Sequence, residues 1–129
     1  MSYAALTKGL TAISTELLIA AHRLGLDEQL WNKVSSSQPE LAAILTRSIP
    51  SMTPKAHRWI GEMEEISETF QELGLTERIF YGAADLYRLV KDTSLGKETP
   101  EECERERPLR DIITTLSNEA ASSVLDKNG

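Results

Sequence analysis

The chain of 129 residues has a single cysteine, Cys103. That excludes an internal disulfide and any metal site built from several thiolates. Aromatic residues make up only 5% of it. None of its seven glycines lies two positions from another. The chain therefore has no Gly-x-Gly turn of the kind that cradles a dinucleotide pyrophosphate. Its longest apolar run, Leu17-Leu18-Ile19-Ala20-Ala21, is far short of the roughly 20 residues that span a bilayer. The N-terminus lacks the basic stretch and cleavage site of a secretory signal. A reducing, cytoplasmic setting is the expectation.

Positive charge is also scarce. Fourteen Lys and Arg stand against twenty Asp and Glu, for a net charge of -6. The basic residues are scattered singly from Lys8 to Lys127. Nucleic acid and anionic membrane surfaces both demand a concentrated basic face, so neither is expected as a partner. A hydrophobic share of 40% is enough for a core. Cys103, flanked by Glu101, Glu102 and Glu104, reads as a chance surface thiol.

What remains is helical. Leu6, Leu10, Ile13, Leu17 and Leu24 recur at spacings of three, four and seven, one face of a helix over residues 3–25. Ile19, Ala20 and Ala21 broaden that face, and Gly25 stops the helix. Asp27 is expected to cap a short helix carrying Leu30, Trp31 and Val34. Pro39 opens a third helix, read as reaching about Arg47. A break follows, and Thr53-Pro54 reads as N-cap and first turn of a helix through Trp59, Met63, Ile66 and Phe70, closed by Gly74. Thr76 starts another, through Leu86 and Val90, ending near Gly96. Residues 97–108 read as an exposed charged linker. Leu109, Ile112, Ile113 and Leu116 form a last amphipathic segment, with fraying expected from Ser122. No alternating strand pattern occurs, so the expected fold class is all-α with about six helices. The expected division is a helical domain over 1–96 and a linker with a C-terminal helix over 97–129.

Two segments carry a resemblance: Tyr3 to Thr11, and Pro54-Lys55-Ala56-His57-Arg58-Trp59-Ile60-Gly61-Glu62-Met63-Glu64-Glu65-Ile66. Ser37-Gln38-Pro39-Glu40-Leu41 between them adds to it. Residues 1–93 resemble the C-terminal helical domain of the 6-phosphogluconate dehydrogenase-like and β-hydroxyacid dehydrogenase family. That resemblance implies an NAD(P)-dependent oxidoreductase acting on a hydroxy acid or related small molecule. The cofactor would be bound by a Rossmann domain in cis or in trans, and not by this chain. The implied role of the helical domain is substrate binding and homodimer contacts. Lys8 falls where the family keeps its catalytic lysine, which moves a proton at the substrate hydroxyl or carbonyl. The family's asparagine four residues later is replaced by Ala12. Its later lysine-aspartate pair corresponds to Gly61-Glu62.

Other candidates come from the residues themselves. Thr11 and Thr15 share a helical stripe with Lys8 and are substrate-binding candidates if that stripe faces a cleft, or packing residues if it does not. His57 and Arg58 are candidates for an anionic group, against a solvated surface reading. The acidic run Glu62, Glu64, Glu65 and Glu68 reads as solvated, and Trp59, Met63 and Phe70 as core or interface. His22 and His57 lie far apart without carboxylates at ligand spacing, so no metal site is expected. The alternative function is a stand-alone, non-redox helical domain, serving as a small-molecule binder, a dimerisation module or a recruited lyase or isomerase.

Overall fold

A computed structural model describes residues 2–104 and 106–128, with side chains described to Ala120. Six α-helices follow one another: α1 (Ser2–Arg23), α2 (Asp27–Ser37), α3 (Pro39–Met52), α4 (Ala56–Glu72), α5 (Arg78–Lys91) and α6 (Leu109–Asn128). One 3-10 turn, Thr53–Lys55, joins α3 to α4. No strand occurs among the described residues, as the all-α reading expected. The fraying expected from Ser122 concerns positions whose side chains lie outside those described.

The two glycine stops are as read. Gly25 and Gly74 take φ of 73° and 78°, conformations that cost other residues a Cβ clash. In each case the next amide reaches back five residues: Leu26 N–H to the Ala21 carbonyl, and Leu75 N–H to that of Phe70. These bonds satisfy carbonyls that a helix end would leave open.

Five local readings are corrected. Asp27 does not cap α2; its carboxylate instead takes His22 Nδ1 at 3.2 Å. Helix α3 runs past Arg47 to Met52 with Pro50 inside it. Thr53 is no N-cap, because the chain stays helical through it and its hydroxyl, 1% exposed, donates to the Pro50 carbonyl. That carbonyl would otherwise look for an amide at Pro54, which has none. Cys103 Sγ, 3.6 Å away, is its second neighbour, so this thiol is half-buried against α3 and not a free surface group. Helix α5 ends at Lys91, short of Gly96.

The core holds Leu45, Ile49, Met52, Met63, Ile66, Tyr87, Val90, Ile112 and Leu116, drawn from α3, α4, α5 and α6. Antiparallel α4 and α5 form its most extensive helix pair. Helix α6 belongs to the same core, and Arg23 ties it to α1 by bonds from Nε and Nη2 to the hydroxyl and carbonyl of Ser117.

The packing of α1 departs most from its sequence pattern. The stripe of long aliphatics is outside: Leu6 is 67%, Ile13 59%, Leu17 53% and Leu24 72% exposed. The buried side holds Ala5, Gly9, Thr11, Ala12, Thr15, Leu18, Ile19 and Ala21. Small residues let α1 approach α5 closely. A Cβ on Gly9 would lie 3.1 Å from the Phe80 ring. By length and composition alone Tyr3–Arg23 could cross a membrane, which the short run Leu17–Ala21 did not suggest. In the fold this helix is packed by α2, α3, α5 and α6.

Ser67 is fully buried with no partner for its hydroxyl. Removing an unpaired buried hydroxyl relieves a desolvation cost. Ser67→Ala is expected to leave stability unchanged or raise it by about 1 kcal/mol, while Met63→Ala in the same helix costs about 2–5 kcal/mol. Denaturant melts of the two variants measure this, and a Ser67→Ala variant losing over ~1 kcal/mol would refute it.

Candidate functional site

Lys8 lies on α1, and its side chain reaches Glu62 and Trp59 of α4. Its side chain is only 24% exposed because three groups hold it. Nζ donates to Glu62 Oε2 at 2.5 Å. It also sits 4.9 Å from the centre of the Trp59 ring, within cation–π range. The Tyr87 hydroxyl donates to the backbone carbonyl of Lys8 and pins the helix at that residue. Trp59 and Tyr87 meet edge to face, with ring centres 5.4 Å apart. The lysine thus has a defined place, whereas most surface lysines are freely solvated.

Helix geometry explains the assembly. Trp59, Glu62 and Met63 fall at spacings of three and four, so they share one side of α4. Met63 is fully buried and fixes that side against the core, leaving Trp59 and Glu62 at its edge, where α1 crosses. The acidic run is therefore not one solvated face. Glu62 takes Lys8, Glu64 takes Arg88 Nη2 at 2.6 Å, and Glu65 and Glu68 are left to solvent. Sequence reasoning missed Glu62 as a site residue. The available signal was that it stands where the resembling family places a charged residue.

Tyr87 is fully buried. Burial, and next the negative charge of Glu62, push its hydroxyl well above the ordinary tyrosine range. It therefore stays a neutral donor to Lys8 at any physiological pH. Arg88 is likewise held charged, first by its hydrogen bond to Glu64.

The other candidates are placed as follows. Thr11 is 6% and Thr15 0% exposed, and their hydroxyls donate to the carbonyls of Thr7 and Thr11, one turn back. Both are turned into the helix packing and away from the Lys8 side chain. His57 and Arg58 are exposed at the start of α4 and line a depression of about 520 Å³ with the end of α5. Arg58 is one turn before Glu62 on α4, but Lys8, Trp59 and Glu62 are not among the residues lining that depression. Ala12, at the position of the family's asparagine, is 2% exposed and offers no polar contact. Among the described residues no group of three His, Cys, Asp or Glu side chains is placed to hold a metal ion. His22 does meet a carboxylate, that of Asp27, and the hydrogen bond between them holds Asp27 below the usual carboxylate range.

A family model described as "Domain of unknown function (DUF1932)" matches residues 21–90, more than half of the chain. The match covers α2 to α5 apart from Lys91, the last residue of α5, and includes Trp59, Glu62 and Tyr87. No curated protein and no solved structure matches the chain.

The raised Tyr87 value sets a pH dependence. Its folded value lies above the ordinary one of 10.0, so the folded state holds the proton longer than the unfolded chain. The contribution is fully present below pH 10 and falls as the pH rises above it. Tyr87→Phe is expected to cost about 0.5–1.5 kcal/mol near neutrality and to flatten the alkaline decline. Urea midpoints between neutral and strongly alkaline pH test this; parallel declines in both proteins would rule it out.

Proposed function

This chain belongs to the DUF1932 family, and from that premise we propose that it is the substrate-binding and dimerisation domain of an NAD(P)-dependent oxidoreductase. DUF1932 domains form the C-terminal helical part of 6-phosphogluconate dehydrogenase-like proteins. The observation that carries the proposal is the placement of Lys8 by Glu62, Trp59 and Tyr87. A lysine whose backbone and side chain are both fixed can present its proton at one point, which general acid–base work requires.

The substrate is a hydroxy acid or a related small molecule. Lys8 Nζ exchanges a proton with the substrate oxygen, and Glu62 Oε2, at 2.5 Å, is the neighbour that receives or returns it. His57 and Arg58 hold the anionic end of the substrate. Thr11 and Thr15 have no place in that contact, since their hydroxyls are bonded within α1. The nicotinamide cofactor supplies the hydride chemistry when bound. The seven glycines here build no cradle for its pyrophosphate, so a nucleotide-binding domain, in cis or in trans, must hold it. The setting is the cytoplasm.

The dimer surface is the outer side of α1. Leu6, Leu10 and Ile13, with Ile79 of α5 57% exposed, border an apolar groove of about 290 Å³ between the two helices. An aliphatic surface of this kind on a small domain is a mark of an interface. The same surface would serve a non-redox dimerisation module, so the lysine, and not the surface, distinguishes the two functions.

Peptide mapping of the native protein upstream of Met1 tests the redox reading. Peptides from a Gly-x-Gly-x-x-Gly domain support it; a native N-terminus at Met1 with no nucleotide-binding protein copurifying would end it. In the assembled enzyme, Lys8→Ala is expected to lower kcat by a factor of about 10²–10⁴. For the dimer, light scattering at micromolar protein is expected to give twice the chain mass, and Ile13→Glu the monomer. A wild-type monomer would remove the dimer from the proposal.

A further inference from the structure

The net charge of the chain is -6, yet one depression is rimmed by cations. It lies where the start of α4 meets the end of α5 and the turns that follow, with a volume of about 520 Å³. His57, Arg58, Lys91 and Lys97 line it, against Asp92 and Glu98. The two carboxylates do not cancel the four basic groups. Glu98 is already held by Arg107, through two bonds of 3.0 and 3.1 Å. Asp92 is 4.0 Å from Lys91 and faces it alone. Arg58 and Lys97 are exposed and form no ion pair with any described residue.

The floor is built to stay open. A Cβ on Gly96 would fall 2.1 Å from the Val90 carbonyl oxygen and 2.7 Å from Lys91 Cα. Only glycine lets the chain fold back this tightly onto the end of α5. The Gly96 amide is fixed by the Thr93 hydroxyl, whose own proton goes to the Val90 carbonyl. That turn carries Lys97 back to face Arg58 across the depression. Arg58 is also one turn from Glu62, the partner of the Lys8 ammonium, along α4.

We infer that this depression is an oxyanion site for a phosphate-type dianion on a small molecule. Arg58 supplies a planar fork that matches two oxygens of such a group, and Lys91 and Lys97 supply point charges. The inference rests on the proposed substrate reading for the remainder of that molecule, which would extend along α4 toward Lys8. It does not rest on that reading for the anion itself.

The test is titration of the ¹⁵N-labelled chain with inorganic phosphate and then pyrophosphate, followed by amide shifts, with chloride holding ionic strength constant. Saturable shifts are expected at residues 57–58 and 96–99 in the millimolar range or below. Binding is expected to weaken roughly tenfold or more in the Arg58→Ala/Lys97→Ala variant; both side chains are exposed, so its fold should hold. Shifts that never saturate, or that are the same in the variant, overturn the site. Phosphate binding that survives in a protein without oxidoreductase activity would sink only the redox reading. Turnover with unchanged KM in the double variant would sink only the oxyanion site.

Discussion

The close approach of α1 to α5 is the constraint on which the rest of the structure depends. It is possible only because Ala5, Gly9 and Ala12 present almost no side chain where the helices meet, with Phe80 against Gly9. Three consequences come from it. The Tyr87 hydroxyl comes within reach of the Lys8 carbonyl. Lys8 lies over Trp59 and onto Glu62. The long aliphatics Leu6, Ile13 and Leu17 of α1 are left exposed, Leu6 and Ile13 beside the groove between α1 and α5. A single packing choice sets both the candidate site and the candidate interface.

Energetically the lysine site is modest and its arrangement is specific. A partly exposed ion pair is worth about 0–1 kcal/mol and a cation–π contact about 0.5–1 kcal/mol at such a site. Neither stabilises the fold much. Their effect is to restrict where Nζ can be. Most of the folding free energy lies beneath them, in the fully buried Met63, Ile66, Tyr87 and Val90 that lock α4 to α5. The oxyanion depression depends on the same helix pair, one turn further along, with Gly96 closing the chain over it.

Much of the secondary structure was legible in the sequence. The glycine stops at 25 and 74 and the proline start at 39 need only local backbone sterics, and the structure agrees with each. The boundaries misread were those where distant or competing partners intervene. Asp27 could cap a helix, but His22, five residues back, takes its carboxylate. Pro50 reads as a breaker, yet α3 continues through it to Met52, and the Pro50 carbonyl, which finds no amide at Pro54, is served by the buried Thr53 hydroxyl and the Cys103 thiol.

The candidate site shows where the division falls. Lys8 and the anion candidates His57 and Arg58 could be named from residue type and resemblance, since those depend on chemistry carried by single residues. Hydrophobic periodicity also determined that the protein would be helical, because a spacing of three and four has few other physical meanings. It did not determine which side of α1 faces inward. Both sides of that helix can be buried, and the choice between aliphatic bulk and close approach is made by the shape of α5 and α6. Glu62 as the partner of Lys8, 54 positions away in the sequence, and Lys97 in the same depression as Arg58 exist only once the helices are packed. Those contacts are long-range, and tertiary packing alone decided them.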